Sequence, residues 1–348
     1  MLRIKELKNG KIDKMIEAMA QEEQMKGLKH LFGGESPPLL VITGPTATGK
    51  TDVGVMVAGK LGGEIVSADS MLVYRTMDIG TAKPAPEERR GIPHHLIDVV
   101  DPDEDYSAAL FQQQARDVIQ DVLARSKLPL LVGGTGLYVR AVIDRYDFGS
   151  AGGDSLLREK LQKEAAEAGV KRIHERLREV DPVTADRLHP GDTRRVIRAL
   201  EVFYRTGRPI SSFQHKDEDI KPIYSVKMFG LHMARESLYR RIEKRVDRMI
   251  DAGLVDEVRG LLERGCSREL TSMRGLGYKE IASYLAGEVA FEQAIEILKR
   301  NTRRFAKRQM TWFKRDPRIQ WIDVEQSGDL AGVAQRISGA VEGVLLTL

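Results

Sequence analysis

The sequence predicts an α/β protein with a doubly wound parallel sheet, interrupted by an all-helical insertion. A short apolar strand, a glycine-rich turn, an amphipathic helix and a second strand follow one another over residues 39–67, which is the β-α-β unit typical of parallel sheets. Strand-like segments then disappear between Asp144 and Phe213 and return at Tyr224. We therefore predict an N-terminal extension over residues 1–37, a sheet domain over 38–144 and 214–348, and a helical insertion over 145–213.

The N-terminal extension is polar and mixed in charge. Its apolar residues Ile12, Met15, Ile16 and Met19 are spaced like one face of a short amphipathic helix, and a linker-like stretch, GGESPP, follows at 33–38. We expect this segment to be an appendage to the sheet domain.

Composition narrows the class of protein. The 348 residues carry a net charge of +4, which permits a nucleic-acid partner without requiring one. Cys266 is the single cysteine, so an internal disulfide and a thiolate metal cluster are excluded. No stretch approaches the ~20 apolar residues that span a bilayer, and the N-terminus lacks the apolar segment of a secretion signal, so we expect a cytoplasmic protein.

The first strand, Leu39 to Thr43, leads into GPTATGKT, which fits the phosphate-binding pattern G-x-x-x-x-G-K-[ST] and predicts a P-loop NTPase-like core. The glycines let the backbone curl so that its N–H groups face phosphate oxygens. Lys50 supplies a point charge, and the Thr51 hydroxyl can reach a phosphate-bound Mg²⁺. The motif indicates a polyphosphate without identifying it. The loop residues are Gly44, Pro45, Thr46, Ala47, Thr48, Gly49, Lys50 and Thr51.

Asp69 and Ser70 directly follow the second predicted strand, Glu64 to Ser67, at the sheet edge where the phosphate loop lies. An aspartate there can be a metal ligand, a helix N-cap or a general base. We favour the catalytic role because a polyphosphate site is adjacent, and we keep the capping role as the alternative.

Further elements follow in order. A long loop, 78–106, encloses a predicted strand near Leu96 to Val99 and the pair His94-His95, for which a metal-binding role is disfavoured. A helix at 108–125 and a strand at 128–132 come next, and glycines after that strand place Thr135 at the same sheet edge. The insertion contains predicted helices at 154–168, 169–180 and 192–206.

The C-terminal third is the most basic part of the chain. After a strand at 224–231 and a helical stretch at 235–263 broken near Gly253, a helix over 292–315 places Arg300, Arg304 and Arg308 on one face. Such a concentration of positive charge is typical of a surface covered by a phosphodiester backbone. A strand at 318–323 and a terminal helix complete the prediction.

Taken together, these stretches resemble the bacterial tRNA dimethylallyltransferases over residues 39–325. The resemblance rests on an ordered series of motifs and not on the phosphate loop alone. The matching stretches are GPTATGKT at 44–51, SADSMLVYR at 67–75, GTAKP at 80–84, GIPHHLID at 91–98, LVGGTGLY at 131–138, DPVTADRLHPGDTRRVIRALEVF at 181–203 and TRRFAKRQMTWFKRD at 302–316.

The resemblance implies transfer of a dimethylallyl group from dimethylallyl diphosphate to N6 of adenosine 37 in tRNA, with release of pyrophosphate. The phosphate loop, Lys50, Thr51 and Mg²⁺ would bind the diphosphate, Arg245 would be a second clamp, and Asp69 would be the general base. We expect a monomer. The implied tRNA contacts are Asp69, Ser70, Met71, Leu72, Thr135, Arg158, Arg194, Arg195, Val196, Ile197, Arg198, Arg274, Gly277, Tyr278 and Lys279, to which the basic helix adds Arg304 and Arg308.

Three alternatives share parts of this pattern. An ATP-dependent small-molecule phosphotransferase needs the phosphate loop but not the basic helix. A non-catalytic RNA-binding NTPase would use the basic surface and tolerate loss of Asp69. A prenyltransferase acting on free AMP or ADP would have no long backbone to neutralise, and the basic helix argues against it.

Overall fold

The computed structural model describes residues 22–23, 26–146, 148, 154–213 and 222–343. These residues form two compact units. The first contains the described residues up to Ile143 together with those from Pro222 onward, and the second contains the described residues between Asp144 and Lys221. Among the described residues, no helix combines the length and apolar character required to span a membrane.

A six-stranded sheet forms the centre of the first unit. Its order is β3-β2-β4-β1-β5-β6 and every adjacent pair is parallel, which confirms the predicted doubly wound sheet. Strand β4 lies between β1 and β2, so the loops that follow these three strands meet at one edge of the sheet. The strands are β1 (Pro38–Thr43), β2 (Gly63–Ser67), β3 (His94–His95), β4 (Leu128–Val132), β5 (Ser225–His232) and β6 (Ile319–Asp323).

Helices cover the sheet and extend the unit on one side. Three of them lie between β1 and the insertion, and five follow the insertion among the residues described. They are α1 (Lys50–Leu61), α2 (Ala108–Ala124), α3 (Gly136–Ile143), α8 (Arg235–Asp251), α9 (Leu254–Glu263), α10 (Tyr278–Leu285), α11 (Phe291–Phe313) and α12 (Leu330–Glu342).

Both faces of the sheet are buried, as the uninterrupted apolar strands predict. Leu40 and Ile42 belong to the core cluster on one face, with residues of α1 and α12. Their neighbours Leu39 and Val41 belong to the cluster on the other face, with residues of α2 and α3. The alternation follows from the period of two along a strand, in which successive side chains point to opposite faces of the sheet.

The structure corrects the predicted position of the strand in the long loop. It lies at His94–His95 and not at Leu96 to Val99. Leu96 and Asp98 adopt positive φ angles of 60° and 57°, which no β-strand accommodates. The short helices α3 and α10 were not predicted, because each is preceded by glycines that suggested only a loop.

The second unit is helical. Its helices are α4 (Ser155–Ala168), α5 (Val170–Val180), α6 (Pro182–Arg187) and α7 (Thr193–Thr206), followed by a 3₁₀ turn at Ile210–Phe213. Leu161, Ile173, Leu177 and Leu200 pack in a core of their own. Three of these helices were predicted with boundaries within one residue at each end, and α6 was not predicted.

Part of the N-terminal extension packs on the first unit. Leu28, Leu31 and Phe32 contact the core cluster that contains α1 and α12, and Phe32 is buried. The predicted amphipathic pattern from Ile12 to Met19 lies outside the described residues.

Candidate active site

The phosphate loop connects β1 to α1 and requires glycine at both of its ends. Gly44 has a φ of 137°, and a Cβ atom there would lie 2.5 Å from the carbonyl oxygen of Leu231 in β5. Gly49 has a φ of 89° and directly precedes α1. The residue that leads into the helix is therefore in the left-handed region, which favours glycine. The loop therefore leads directly into the N-terminus of α1, where the free backbone N–H groups favour binding of an anion.

Lys50 bends back over this loop. Its Nζ atom donates a hydrogen bond to the carbonyl oxygen of Pro45 at 2.7 Å, and the Thr48 hydroxyl donates to the same oxygen at 2.8 Å. Burial lowers the pKa of Lys50 to about 8, opposed by the nearby Asp69 carboxylate and reinforced by the Arg245 guanidinium. Lys50, Asp69 and Arg245 are therefore close enough to influence one another electrostatically.

Gln309 of α11 holds the phosphate loop through hydrogen bonds. Its side-chain oxygen accepts from the backbone N–H of Thr46 at 2.8 Å, and its side-chain nitrogen donates to the carbonyl oxygen of Gly134 at 2.9 Å. Pro45 has no N–H, and Gln309 takes that of Thr46, so neither residue offers a backbone donor to an anion. Sequence reasoning missed Gln309, because its partners lie far away along the chain and its neighbours Lys307 and Arg308 suggested only a basic surface.

Replacing Gln309 with alanine should weaken the binding of inorganic pyrophosphate roughly tenfold, because two buried hydrogen bonds that shape the loop are lost. Isothermal titration calorimetry measures this affinity directly. Gln293→Ala is the matched control, since it makes the same change at an exposed position of the same helix. Equal affinity in Gln309→Ala and Gln293→Ala would show that the bridge does not shape the anion site.

Asp69 lies where predicted, beyond the end of β2. One of its carboxylate oxygens accepts from the backbone N–H of Met71 at 2.9 Å, so it caps the turn that follows. The backbone N–H of Ser70 donates to the Thr135 hydroxyl at 3.1 Å, which joins the loops after β2 and β4. The capping role and a role in the cavity are compatible, because the carboxylate also lines the cavity described next.

The cavity has a volume of about 740 Å³ and is bordered by the phosphate loop, the loop after β2 and helices α8 and α11. Both charged and apolar residues line it. The cations and hydroxyl that suit a diphosphate are Lys50, Thr51, Lys83, Arg241, Arg245 and Arg248. The apolar residues that suit a short hydrocarbon chain are Leu72, Ile79, Met249, Phe305 and Leu330.

Arg245, the predicted second clamp, enters this cavity from α8. Its guanidinium donates to the carbonyl oxygen of Thr81 at 3.2 Å. Burial lowers its pKa from the usual value, with the Asp69 carboxylate opposing that change and Arg248 adding to it. Two cations, Lys50 and Arg245, thus border one cavity, an arrangement that an anionic ligand would stabilise.

The basic helix α11 is only partly a free surface. Lys299 pairs with Asp247 at 2.7 Å and Arg303 with Glu243 at 2.5 Å, so both cations hold α11 against α8. Arg300, Arg304 and Arg308 are exposed, and within the described ranges none of the three forms a salt bridge. The predicted face is confirmed for these three arginines, whereas the flanking cations have a structural role.

The loop over residues 274–279 divides in the same way. Arg274 and Lys279 are exposed, with Glu269 at 2.6 Å from Arg274. Gly277 and Tyr278 are buried, and the tyrosine side chain is fully enclosed. The Tyr278 side chain therefore lies beneath the loop, and its tRNA contact stays a prediction.

In the second unit, Glu201 organises two of the predicted arginines. This carboxylate is completely buried, and it lies 2.9 Å from Arg158 and 2.7 Å from Arg198. Arg194 and Arg195 are exposed on α7, whereas Val196 and Ile197 belong to the core of the unit. The 3.6-residue period of α7 turns the side chains of Val196 and Ile197 toward the core of the unit, and their tRNA contact stays a prediction.

The structure also bears on metal binding. Among the residues it describes, no group of three or more His, Cys, Asp or Glu side chains could hold a metal ion. His94 instead contacts the carbonyl oxygen of Ile92 at 2.8 Å, and His95 contacts Glu64 at 2.8 Å. Thr51 and Asp69 both line the cavity, which fits a Mg²⁺ ion that takes most of its ligands from phosphate and water.

Known proteins resemble the chain over most of its length. A family model for IPP transferase matches residues 72–316, and one for isopentenyl transferase matches residues 37–100. The tRNA dimethylallyltransferase of Pelotomaculum thermopropionicum is 63% identical over 308 residues, covering 88% of this chain and 98% of the relative. That of Desulforudis audaxviator is 60% identical over 306 residues, covering 88% of this chain and 98% of the relative.

Solved structures agree. The tRNA isopentenylpyrophosphate transferase of Bacillus halodurans has a TM-score of 0.64 and 45% identity, over 88% of this chain and 97% of that one. A eukaryotic dimethylallyltransferase described as acting on tRNA has a TM-score of 0.70 and 31% identity, over 83% of this chain and 74% of that one. The family match over residues 72–316 and these relatives show that the chain belongs to the IPP transferase family.

Proposed function

We propose that this protein transfers the dimethylallyl group from dimethylallyl diphosphate to N6 of adenosine 37 in tRNA and releases pyrophosphate. The observation that carries the proposal is that Lys50, Arg245 and Asp69 border one cavity, which is lined by both charged and apolar residues. The names of the relatives support the reaction, and the cavity supports the placement of its parts.

In this reaction the bond between the allylic carbon and the diphosphate oxygen breaks while a bond to N6 forms. Negative charge grows on the departing diphosphate, where Lys50, Arg245 and the loop amides stabilise it. N6 loses one proton to the Asp69 carboxylate. Leu72, Ile79 and Phe305 offer the apolar lining for the five-carbon chain.

Mg²⁺ is the proposed cofactor. The Thr51 hydroxyl would hold it against the diphosphate, and it would neutralise charge on the leaving group.

The acceptor must reach the cavity as an unstacked base, because N6 inside a stacked anticodon loop is inaccessible. The exposed cations Arg304, Arg308, Arg274, Lys279 and Arg194 provide the charges that neutralise RNA phosphates in this proposal. We further propose a monomeric enzyme, and a cytoplasmic location because its RNA substrate functions in the cytoplasm.

Reversing the charge of Arg304 and Arg308 together, by R304E and R308E, should weaken tRNA binding and reduce the slope of log Kd against log salt by about 2 or more. Filter binding at several salt concentrations measures both. K60E with K127E makes an equal change in net charge near the amino ends of the strands, away from the cavity, and should leave the slope unaltered. If the slope for R304E/R308E equals the wild-type slope, α11 is not part of the RNA interface.

Two enzymatic alternatives are separated by simple incubations. An ATP-dependent phosphotransferase should release phosphate from ATP in the absence of tRNA, and the proposed enzyme should not. A mononucleotide prenyltransferase should accept AMP as readily as tRNA. Phosphate release from ATP, or equal use of AMP, would contradict the proposed function, whereas the exposed arginines of α11 favour a polymeric acceptor.

A further inference from the structure

Glu257 of α9 collects four hydrogen bonds on one carboxylate. It accepts from the successive backbone N–H groups of Asp78, Ile79 and Gly80 at 2.9, 2.8 and 3.1 Å. It also accepts from the Tyr278 hydroxyl at 2.7 Å. A side chain that engages three consecutive amides of a loop about 178 residues away holds that loop in one conformation.

The loop that Glu257 holds supplies the apolar Ile79 to the cavity and, at Thr81, the partner of Arg245 on the diphosphate side. Asp78, Ile79 and Thr81 all line the cavity, and the Thr81 carbonyl oxygen accepts the hydrogen bond from Arg245. Lys83, further along the same loop, pairs with Asp78 at 2.6 Å and with Asp98 at 2.5 Å. A shift at residues 78–80 would therefore move a partner of the Arg245 guanidinium.

Tyr278, the fourth donor, belongs to the segment that carries Arg274 and Lys279. Its ring packs closely on the held loop, since a Cβ atom at Gly80 would come within 2.6 Å of it. A Cβ atom at Gly275 would lie 2.5 Å from the terminal methyl group of Met71 and 3.3 Å from the same ring. Burial, followed by the charge of Glu257, raises the pKa of the tyrosine hydroxyl, so it remains a donor.

We propose that Glu257 is a positioning residue that joins the diphosphate side of the cavity to the RNA-facing loop at 274–279, so that binding of tRNA strengthens binding of the diphosphate. The inference rests on the proposed function for the identity of the two ligands. One carboxylate contacts both segments directly, so displacement of either segment changes the hydrogen bonds of the other. By thermodynamic reciprocity, the diphosphate must then strengthen tRNA binding by the same factor.

The test compares the affinity for inorganic pyrophosphate with and without saturating unmodified tRNA. We expect tRNA to tighten pyrophosphate binding by about fivefold or more in the wild-type protein. Glu257→Gln keeps the shape of the side chain but turns one acceptor oxygen into a donor group. It should weaken pyrophosphate binding about tenfold and bring the effect of tRNA close to a factor of one.

Glu263→Gln is the matched control, because it makes the same change at an exposed position of the same helix. Tyr278→Phe removes only the bond to the RNA-facing segment. It should reduce the effect of tRNA on pyrophosphate binding while leaving the affinity for pyrophosphate alone within about twofold. This pattern separates linkage from a general loss of stability, and it remains measurable if Glu257→Gln does not fold.

Each result has a distinct meaning. If Glu257→Gln retains the wild-type affinity and the wild-type response to tRNA, the inference is overturned. The same holds if Tyr278→Phe leaves the response unchanged, or if tRNA has no effect on pyrophosphate binding in the wild-type protein. A wild-type protein that binds no pyrophosphate at all contradicts the proposed function itself.

Discussion

Asp69→Ala should lower turnover about 10²–10⁴-fold while tRNA affinity stays close to that of the wild-type protein. The carboxylate lies in the cavity with Lys50 and Arg245, and in the proposed reaction it accepts the N6 proton as the new bond to carbon forms. The affected quantity should be the rate of transfer under single-turnover conditions, measured with enzyme in excess of tRNA.

Alanine also removes the cap on the Met71 N–H, so a second variant is needed to separate the two roles. Asp69→Asn retains an oxygen that can accept this hydrogen bond but does not accept a proton. Glu88→Gln neutralises another carboxylate of the same cavity and serves as the control. If Asp69→Asn transfers the group at the wild-type rate, Asp69 is a capping residue and the base has been misassigned.

Lys50→Ala should lower the transfer rate by about 10²–10³-fold, since the loss of one preorganised cation or donor at a developing negative charge has that magnitude. Binding of pyrophosphate should weaken as well, because Lys50 places its positive charge against the phosphate loop and alanine removes that charge. Rapid-quench measurement of the transfer step and calorimetry with pyrophosphate test the two effects separately.

The lowered pKa of Lys50 adds a pH dependence with a defined sign. With a pKa of about 8, the amine is charged below that pH and neutral above it. Affinity for pyrophosphate should therefore fall as the pH rises through about 8, toward the affinity of Lys50→Ala. Lys50→Arg keeps its charge and should lose this dependence. A wild-type affinity that is constant between pH 7 and 9 would show that Lys50 does not titrate in this range.

Local patterns were sufficient to predict most of the fold. Strands β1, β2 and β4 are short apolar runs that end in glycine or a small polar residue, and such runs are distinctive in a parallel sheet. A break near Gly253 was predicted within the helical stretch 235–263, and the structure shows this glycine with a φ of 97° between two helices. The error at β3 arose where two positive φ angles, at Leu96 and Asp98, are set by tertiary contacts and not by residue type.

The candidate site was predicted only in part, for a different reason. Motif spacing identifies Lys50, at the end of the loop after β1, and Asp69, just after β2, because the ends of both strands border the cavity. The supporting residues Gln309 and Glu257 have partners 263 and 177 to 179 positions away, and no local period encodes such distances. For the same reason, sequence could not distinguish the paired Arg303 from the exposed Arg304.

Transfer of a labelled dimethylallyl group tests the proposed reaction. Purified protein, Mg²⁺ and radiolabelled dimethylallyl diphosphate would be incubated with an unmodified tRNA that carries adenosine at position 37, and with the same tRNA carrying guanosine there. We expect label in the first RNA and none in the second. Label in neither RNA, or equal label in both, would show that the protein does not transfer the group to adenosine 37.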